Sequence, residues 1–186
     1  APPQRRVRVV HSGVAGNVYV EFDASCARAP LEFADDALGA AASHGRALPP
    51  QIDRLLPIQA TCAVSPAAVA DAVRPLLAPL RGFRGAWGVE WRRRCNSSAD
   101  KAAVIERVAA LVGEVVASEA TVDLKRPDAV VLVEVLKHVA CVSVLPRWAE
   151  MSGYNLRAVG ESRRAAALAA SSGTVAVDAA VESTSP

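Results

Sequence analysis

The chain has 186 residues, 52% of them hydrophobic, 22% charged and 4% aromatic, and its 21 Lys+Arg against 19 Asp+Glu leave a net charge of +2. That length suits one domain or two small ones with a buried core, and the apolar fraction excludes a wholly disordered chain. No apolar run approaches the ~18 residues of a membrane span, and so small a net charge gives, by itself, no sign of a polyanionic partner.

Ala1–Arg8 carries Pro2, Pro3, Arg5, Arg6 and Arg8 but no apolar core of a secretory signal, and none is expected. Val7–Val10 and Val18–Phe22 are short apolar stretches around a turn-rich His11–Asn17, which predicts a hairpin. Leu31, Ala34, Leu38 and Ala41 fall on one face of a helix predicted from Pro30 to Ser43, ended by Gly45. Arg46–Pro50 reads as a connector, and Ile52–Cys62 as an extended stretch broken by Pro57.

Ser65-Pro66 is a helix start, an N-cap with proline at the first helical position. Val69, Val73, Leu76, Leu77 and Leu80 follow at helical spacing, but Pro75 and Pro79 should bend or shorten that helix. Ala86–Trp91 alternates as a strand, with Trp87 and Trp91 on one face, placed for core packing rather than base stacking. A helix is predicted over Ala102–Ala117, with Val104, Val108, Leu111 and Val115 on one face. Val130–Leu136 and Val139–Leu145 are β-branched runs joined at Lys137-His138, which predicts a second hairpin. Glu134 is the one charge inside them; it belongs at a strand edge, or paired if buried. After Arg164 the chain turns Ala/Ser/Thr-rich and is expected to be a mobile tail, with a short helix docked by Leu168 as the alternative. Mixed helices, hairpins and strands predict a small α/β or α+β protein with a mixed sheet flanked by helices.

Cys26, Cys62, Cys95 and Cys141 show no zinc spacing with one another or with the three histidines, and read as buried free thiols. No dinucleotide loop, phosphate loop, nucleophile elbow or HExxH is present. Asp35 and Asp36 are adjacent, so on a helix they diverge rather than converge on a substrate. Asp123 and Asp128 flank Pro127 and read as turn formers. These absences argue against a self-contained enzyme.

The charge is unevenly placed. Arg81, Arg84, Arg92, Arg93, Arg94 and Lys101 face only Glu90 and Asp100 within residues 81–101, a local +4, so the remainder is slightly acidic. Arg92–Arg94 follow the predicted strand and precede Asn96, Ser97 and Ser98 at a helix start, a pattern suited to phosphate. The bland alternative is a solvated strand end with arginine stems covering apolar surface.

Several ordered motifs resemble one family. Val122-Asp-Leu-Lys-Arg-Pro-Asp128, then Val130–Lys137 with its Val-Glu-Val, then Val139–Val144, resembles the C-terminal half of a THUMP domain. Upstream, Arg54-Leu-Leu-Pro-Ile-Gln-Ala-Thr-Cys62 and Trp91-Arg-Arg-Arg-Cys-Asn-Ser97, and downstream Tyr154-Asn-Leu156, resemble segments of one subgroup, over about Val7 to Val159. Arg126 and Cys95 depart from it; the family often carries Asn at both places.

The resemblance implies a THUMP domain at 51–160, a partial ferredoxin-like domain at 1–50, and a tail at 161–186. It also implies a non-catalytic adaptor without a cofactor or metal of its own. Such an adaptor binds tRNA and presents it to a separate RNA cytidine acetyltransferase that makes N4-acetylcytidine. No membrane partner is implied, and the family points to an intracellular, nuclear or nucleolar place. The alternatives are a protein-interaction domain without RNA contact and the RNA-binding part of another tRNA-modification complex. Arg92, Arg94, Asn96 and Ser97 match the family's basic and polar positions, with Arg93 beside them. Lys137 sits at the hairpin tip, where the family also carries Lys. Arg92 and Arg94 are the expected phosphate ligands, sharing one strand face while Arg93 faces away.

Overall fold

A computed structural model describes residues 7–45 and 51–178. Arg5, Arg6 and the connector at 46–50 lie outside the described residues, as does the end of the chain from residue 179. The chain divides into two compact units. The first holds the described residues up to Phe33 together with Pro57–Gly153; the second holds Ala34–Leu56 and the described residues from Tyr154 onward.

The first unit is built on a five-stranded mixed sheet. Its strands are β3 (Ala60–Ala63), β4 (Ala86–Arg94), β5 (Thr121–Val122), β6 (Ala129–Leu136) and β7 (Val139–Leu145), in the order β3-β7-β6-β4-β5. β6 and β7 form the predicted antiparallel hairpin, and β3 adds antiparallel to β7. β4 runs parallel to both β6 and β5. Parallel neighbours need a crossover, and α3 (Lys101–Gly113) with the turn after it supplies the one from β4 to β5. β6 is buried along its whole length, as a central strand covered on both faces should be.

Alternation assigns the two faces of the sheet. Trp87, Val89 and Trp91 of β4, Val131, Val133 and Val135 of β6, and Ala140, Val142 and Val144 of β7 pack into one core. Over them lie α2 (Pro66–Val73), α3 and a 3-10 segment, Arg74–Leu80. The Ser65 hydroxyl accepts from the Ala68 N–H and caps α2 behind Pro66. Pro75 and Pro79 then do what their lost N–H groups dictate: the α-helix stops at Val73 and tightens into the 3-10 segment. Both tryptophans pack with the core, as alternation predicts.

Several boundaries differ from the sequence expectation. β4 continues to Arg94, so the three arginines are strand residues rather than a loop after it; pairing with β6 through Leu136 holds them extended. α3 ends at Gly113, short of Ala117, and its N-cap is Asp100, whose carboxylate accepts from the Ala103 N–H. β5, two residues long, had no signal in the sequence pattern. The extended stretch at 52–62 condenses to a strand only from Ala60.

The N-terminal β-β-α-β does not make one sheet. β1 (Val7–His11) and β2 (Val18–Phe22) pair antiparallel as a separate two-stranded sheet, whereas β3 joins the five-stranded one. Helix α1 spans Pro30–His44 with Ala34, Leu38 and Ala41 buried. Phe33, at its start, meets Phe22 edge-on with ring centroids 5.5 Å apart.

In the second unit, the stretch expected to be a mobile tail is helical. α4 runs from Leu156 to Asp178. Alanine is the best helix former and has no side-chain entropy to lose, so helical propensity prevails there despite weak periodicity. Leu168 is exposed. Asn155 caps this helix by accepting from the Ala158 N–H, and Tyr154, fully buried, donates to Asp35 at 3.3 Å. Arg54 and Asn155 form an isolated antiparallel bridge, braced by an Arg157–Asp53 ion pair at 2.6 Å. Among the described residues, no helix is long and apolar enough to cross a membrane.

Candidate nucleic-acid interface

The parallel pairing of β4 with β6 sets the site. Both strands end together, Arg94 opposite Leu136, and the β6–β7 turn closes at the same end. The Lys137 N–H donates to the Arg94 carbonyl at 3.1 Å. Asn96 then stitches the loop after β4 to that turn, its Nδ2 donating to the Lys137 carbonyl at 2.6 Å. Its Oδ1 accepts from the Ser98 and Ala99 N–H groups at 3.1 and 2.8 Å. Asn96, expected to contact RNA, is therefore occupied on both sides in shaping the loop that leads into α3. Ser97 lies exposed in that loop.

Arg92 and Arg94 do share a face, and Arg93 faces the other way. Both members of the pair meet carboxylates. Arg92 donates to Glu90 at 3.1 Å and its guanidinium stacks over the Trp148 ring at 5.8 Å, leaving its side chain 20% exposed. Arg94 lies 3.5 Å from Glu134, whose residue is 4% exposed; the Arg94 side chain is 49% exposed. Glu134 is thus interior and paired, the second of its two expected places. Arg93, expected to be the lesser partner, is exposed and has no carboxylate partner among the described residues. Lys137 is likewise exposed and without a carboxylate partner among them. Two of the three arginines are therefore neutralised as pairs, and Arg93 and Lys137 carry the uncompensated charge at this end.

Two residues here adopt left-handed backbone, Cys95 at φ 51° and Lys137 at φ 52°. Asn and Gly occupy that region at least cost, so Cys95 carries a conformational cost there that Asn would lessen. Cys95 is exposed, contrary to the expectation of four buried thiols; Cys141 is buried, and Cys26 and Cys62 are partly so. All four are free.

The opposite face of β6 and β7 is covered in part by the β1–β2 hairpin. The Tyr19 phenol and the Cys141 thiol lie side by side, close to Glu134. Burial, then the Glu134 charge, pushes the Cys141 thiol up to about 11, and burial foremost raises the Tyr19 phenol as well. Both stay neutral at physiological pH, so neither answers the arginines as an anion.

At the other end of the sheet, Asp123 shapes its turn as expected, whereas Asp128 bonds across to β4. The Asp128 carboxylate accepts from the Ala86 N–H at 2.9 Å. Asp123 accepts from the Lys125 and Arg126 N–H groups at 2.7 and 3.0 Å, and these bonds, that from Arg126 first, hold its carboxyl below the usual range. Among the described residues no group of three His, Cys, Asp or Glu is placed to hold a metal ion.

With this geometry in place, the comparisons with known proteins are specific. The model of the THUMP domain matches residues 68–145, which run from α2 to the end of β7. THUMP domain-containing protein 1 of Mus musculus is 32% identical over 113 residues, covering 60% of this chain and 32% of that protein. The Bos taurus protein of the same name is 32% identical over 113 residues, covering 60% and 31%. The chain thus spans about a third of the length of these relatives. Among solved structures, PH1313 from Pyrococcus horikoshii Ot3 is similar in fold, with a TM-score of 0.50 at 15% identity over 76% of this chain and 43% of that one.

Proposed function

We propose, from the premise that residues 68–145 are a THUMP domain, that this chain binds tRNA and presents it to a separate RNA cytidine acetyltransferase that forms N4-acetylcytidine. In this reading the chain is a non-catalytic adaptor, in the nucleus or nucleolus. The observation that carries RNA binding is a pair of cations, Arg93 and Lys137, without a carboxylate partner among the described residues and brought to one sheet end by the β4–β6 register. Arg94, half exposed beside them, offers guanidinium N–H groups that a phosphate can share with Glu134. Ser97 adds a small hydroxyl, while Asn96 and Arg92 serve as the frame. A net +4 over residues 81–101 on a chain of +2 suits docking of one structured RNA region rather than the coating of any polyanion.

The adaptor role is tested by acetylation in a reconstituted mixture of the acetyltransferase, acetyl-CoA, ATP and tRNA. N4-acetylcytidine forms with this chain present and fails to accumulate without it. Equal product in both mixtures contradicts the adaptor role.

A second reading, a protein-interaction domain without RNA contact, draws on the outer face of the β1–β2 hairpin. There Val7, Val9, Val18 and Val20 are all roughly half exposed or more. That reading requires retained capture of a partner protein together with no tRNA shift at low salt.

A further inference from the structure

The β1–β2 turn reaches the basic end of the sheet. Gly13, at φ 65° in that turn, lies directly against the Lys137 side chain. A methyl group on Gly13 would collide with the Lys137 Nζ and come within 3.5 Å of its Cε. Ser12 fixes the turn, its hydroxyl accepting from the Val14 N–H at 3.0 Å and donating to the Asn17 carbonyl at 3.1 Å. Tyr19, on β2, places the same hairpin beside Cys141 of β7. The flexible stem of Lys137 would otherwise sweep a wide arc, and an ammonium held in place loses less entropy on meeting an anion.

We propose that the β1–β2 turn is one wall of the RNA interface, with Gly13 seating the Lys137 ammonium to receive a backbone phosphate. This rests on the tRNA-binding reading above and adds to it a contact outside the residues that match the THUMP domain. It gives the glycine at position 13 two roles, a left-handed backbone and the room that the Lys137 ammonium occupies. Gly16 separates the two grounds. It sits in the same turn at φ 74°, with open space where its Cβ would be.

The test is titration of total tRNA against the full chain and its variants from about 50 to about 200 mM salt. Lys137→Ala should lower the slope of log K against log salt by about one, the value of one lost phosphate contact. Gly13→Ala removes no charge, yet should lower the slope by the same amount, and the double variant should match either single one. Gly16→Ala carries the same backbone strain and should keep the wild-type slope. The inference is overturned if Gly13→Ala keeps the wild-type slope, if its effect adds to that of Lys137→Ala, or if Gly16→Ala loses as much. Absence of tRNA binding by the wild-type chain overturns the tRNA reading along with it, whereas binding that Gly13→Ala leaves intact overturns this inference alone.

Discussion

Arg94 and Glu134 face each other across neighbouring parallel strands, Nε to Oε1 at 3.5 Å, one half exposed and the other almost wholly buried. The pair lets a carboxylate sit inside β6, a strand otherwise made of Val, Leu and Ala. Removing the guanidinium leaves that carboxylate unpaired, a cost far larger than the net worth of the pair. Arg94→Ala is expected to destabilise the chain by about 1–3 kcal/mol, and Arg93→Ala to stay within about 0.5 kcal/mol of wild type. Adding Glu134→Gln to Arg94→Ala should recover part of the loss. Urea unfolding midpoints of the four proteins decide it; equal midpoints for the two arginine variants would show the pair to be idle.

Cys95 bears a left-handed backbone at φ 51°. Asn tolerates that conformation through local hydrogen bonding of its short amide. Cys95→Asn is therefore expected to stabilise by about 0.5–1 kcal/mol, read as a rise in thermal midpoint with an unchanged transition shape. A lower midpoint would contradict the assigned backbone.

Gly88 and Gly39 should respond to alanine with opposite signs. A Cβ on Gly88 would lie 3.1 Å from the Asp123 carbonyl and 3.7 Å from Leu124 and Pro127 side-chain atoms. The loop after β5 crosses β4 at that residue, so Gly88→Ala must push it away, at about 1–3 kcal/mol. Gly39 is inside α1 with open space around it, and Gly39→Ala should gain about 0.5–1 kcal/mol by restricting the unfolded chain. Chemical unfolding of both variants checks the pair of signs.

Asp123 makes the fold acid-sensitive in a defined direction. Its carboxyl is more acidic in the folded chain than in the unfolded one, because the Arg126 and Lys125 N–H groups donate to the charged form. Such a group contributes its full stabilisation above the unfolded value of about 4 and loses it as pH falls through the lower, folded value. Asp123→Ala should thus lower stability near neutral pH and flatten its fall on acidification below about pH 4. An acid limb of unchanged steepness would place the titrating groups elsewhere.

What the sequence disclosed was local. The Ser65-Pro66 start of α2, the Lys137-His138 turn and the shared face of Arg92 and Arg94 all follow from periodicity and turn chemistry over a few residues. What it concealed depends on residues far apart in the chain. β4 extends through Arg94 because β6 pairs with it, and Glu134 is acceptable in β6 because Arg94 arrives from 40 positions earlier. The same pairing reversed the ranking of the arginines, leaving Arg93 uncompensated while Arg92 and Arg94 meet carboxylates. The Asn96 bond to the Lys137 carbonyl was hidden because a backbone carbonyl carries no side-chain signature. The two-residue β5 is too short for any period, and the separation of β1–β2 from β3 is a matter of sheet assembly, not of strand propensity.

The central claim is that the end of β4 binds tRNA. The direct measurement is equilibrium titration of total tRNA with the wild-type chain, Arg93→Ala, Lys137→Ala and, as a control, Arg163→Ala, an exposed cation on α4. The prediction is binding by the wild type that weakens with salt, a shallower salt slope for Arg93→Ala and Lys137→Ala by about one each, and no change for Arg163→Ala, all at matched unfolding midpoints. No wild-type binding at low salt, or the same loss in all three variants, would contradict it.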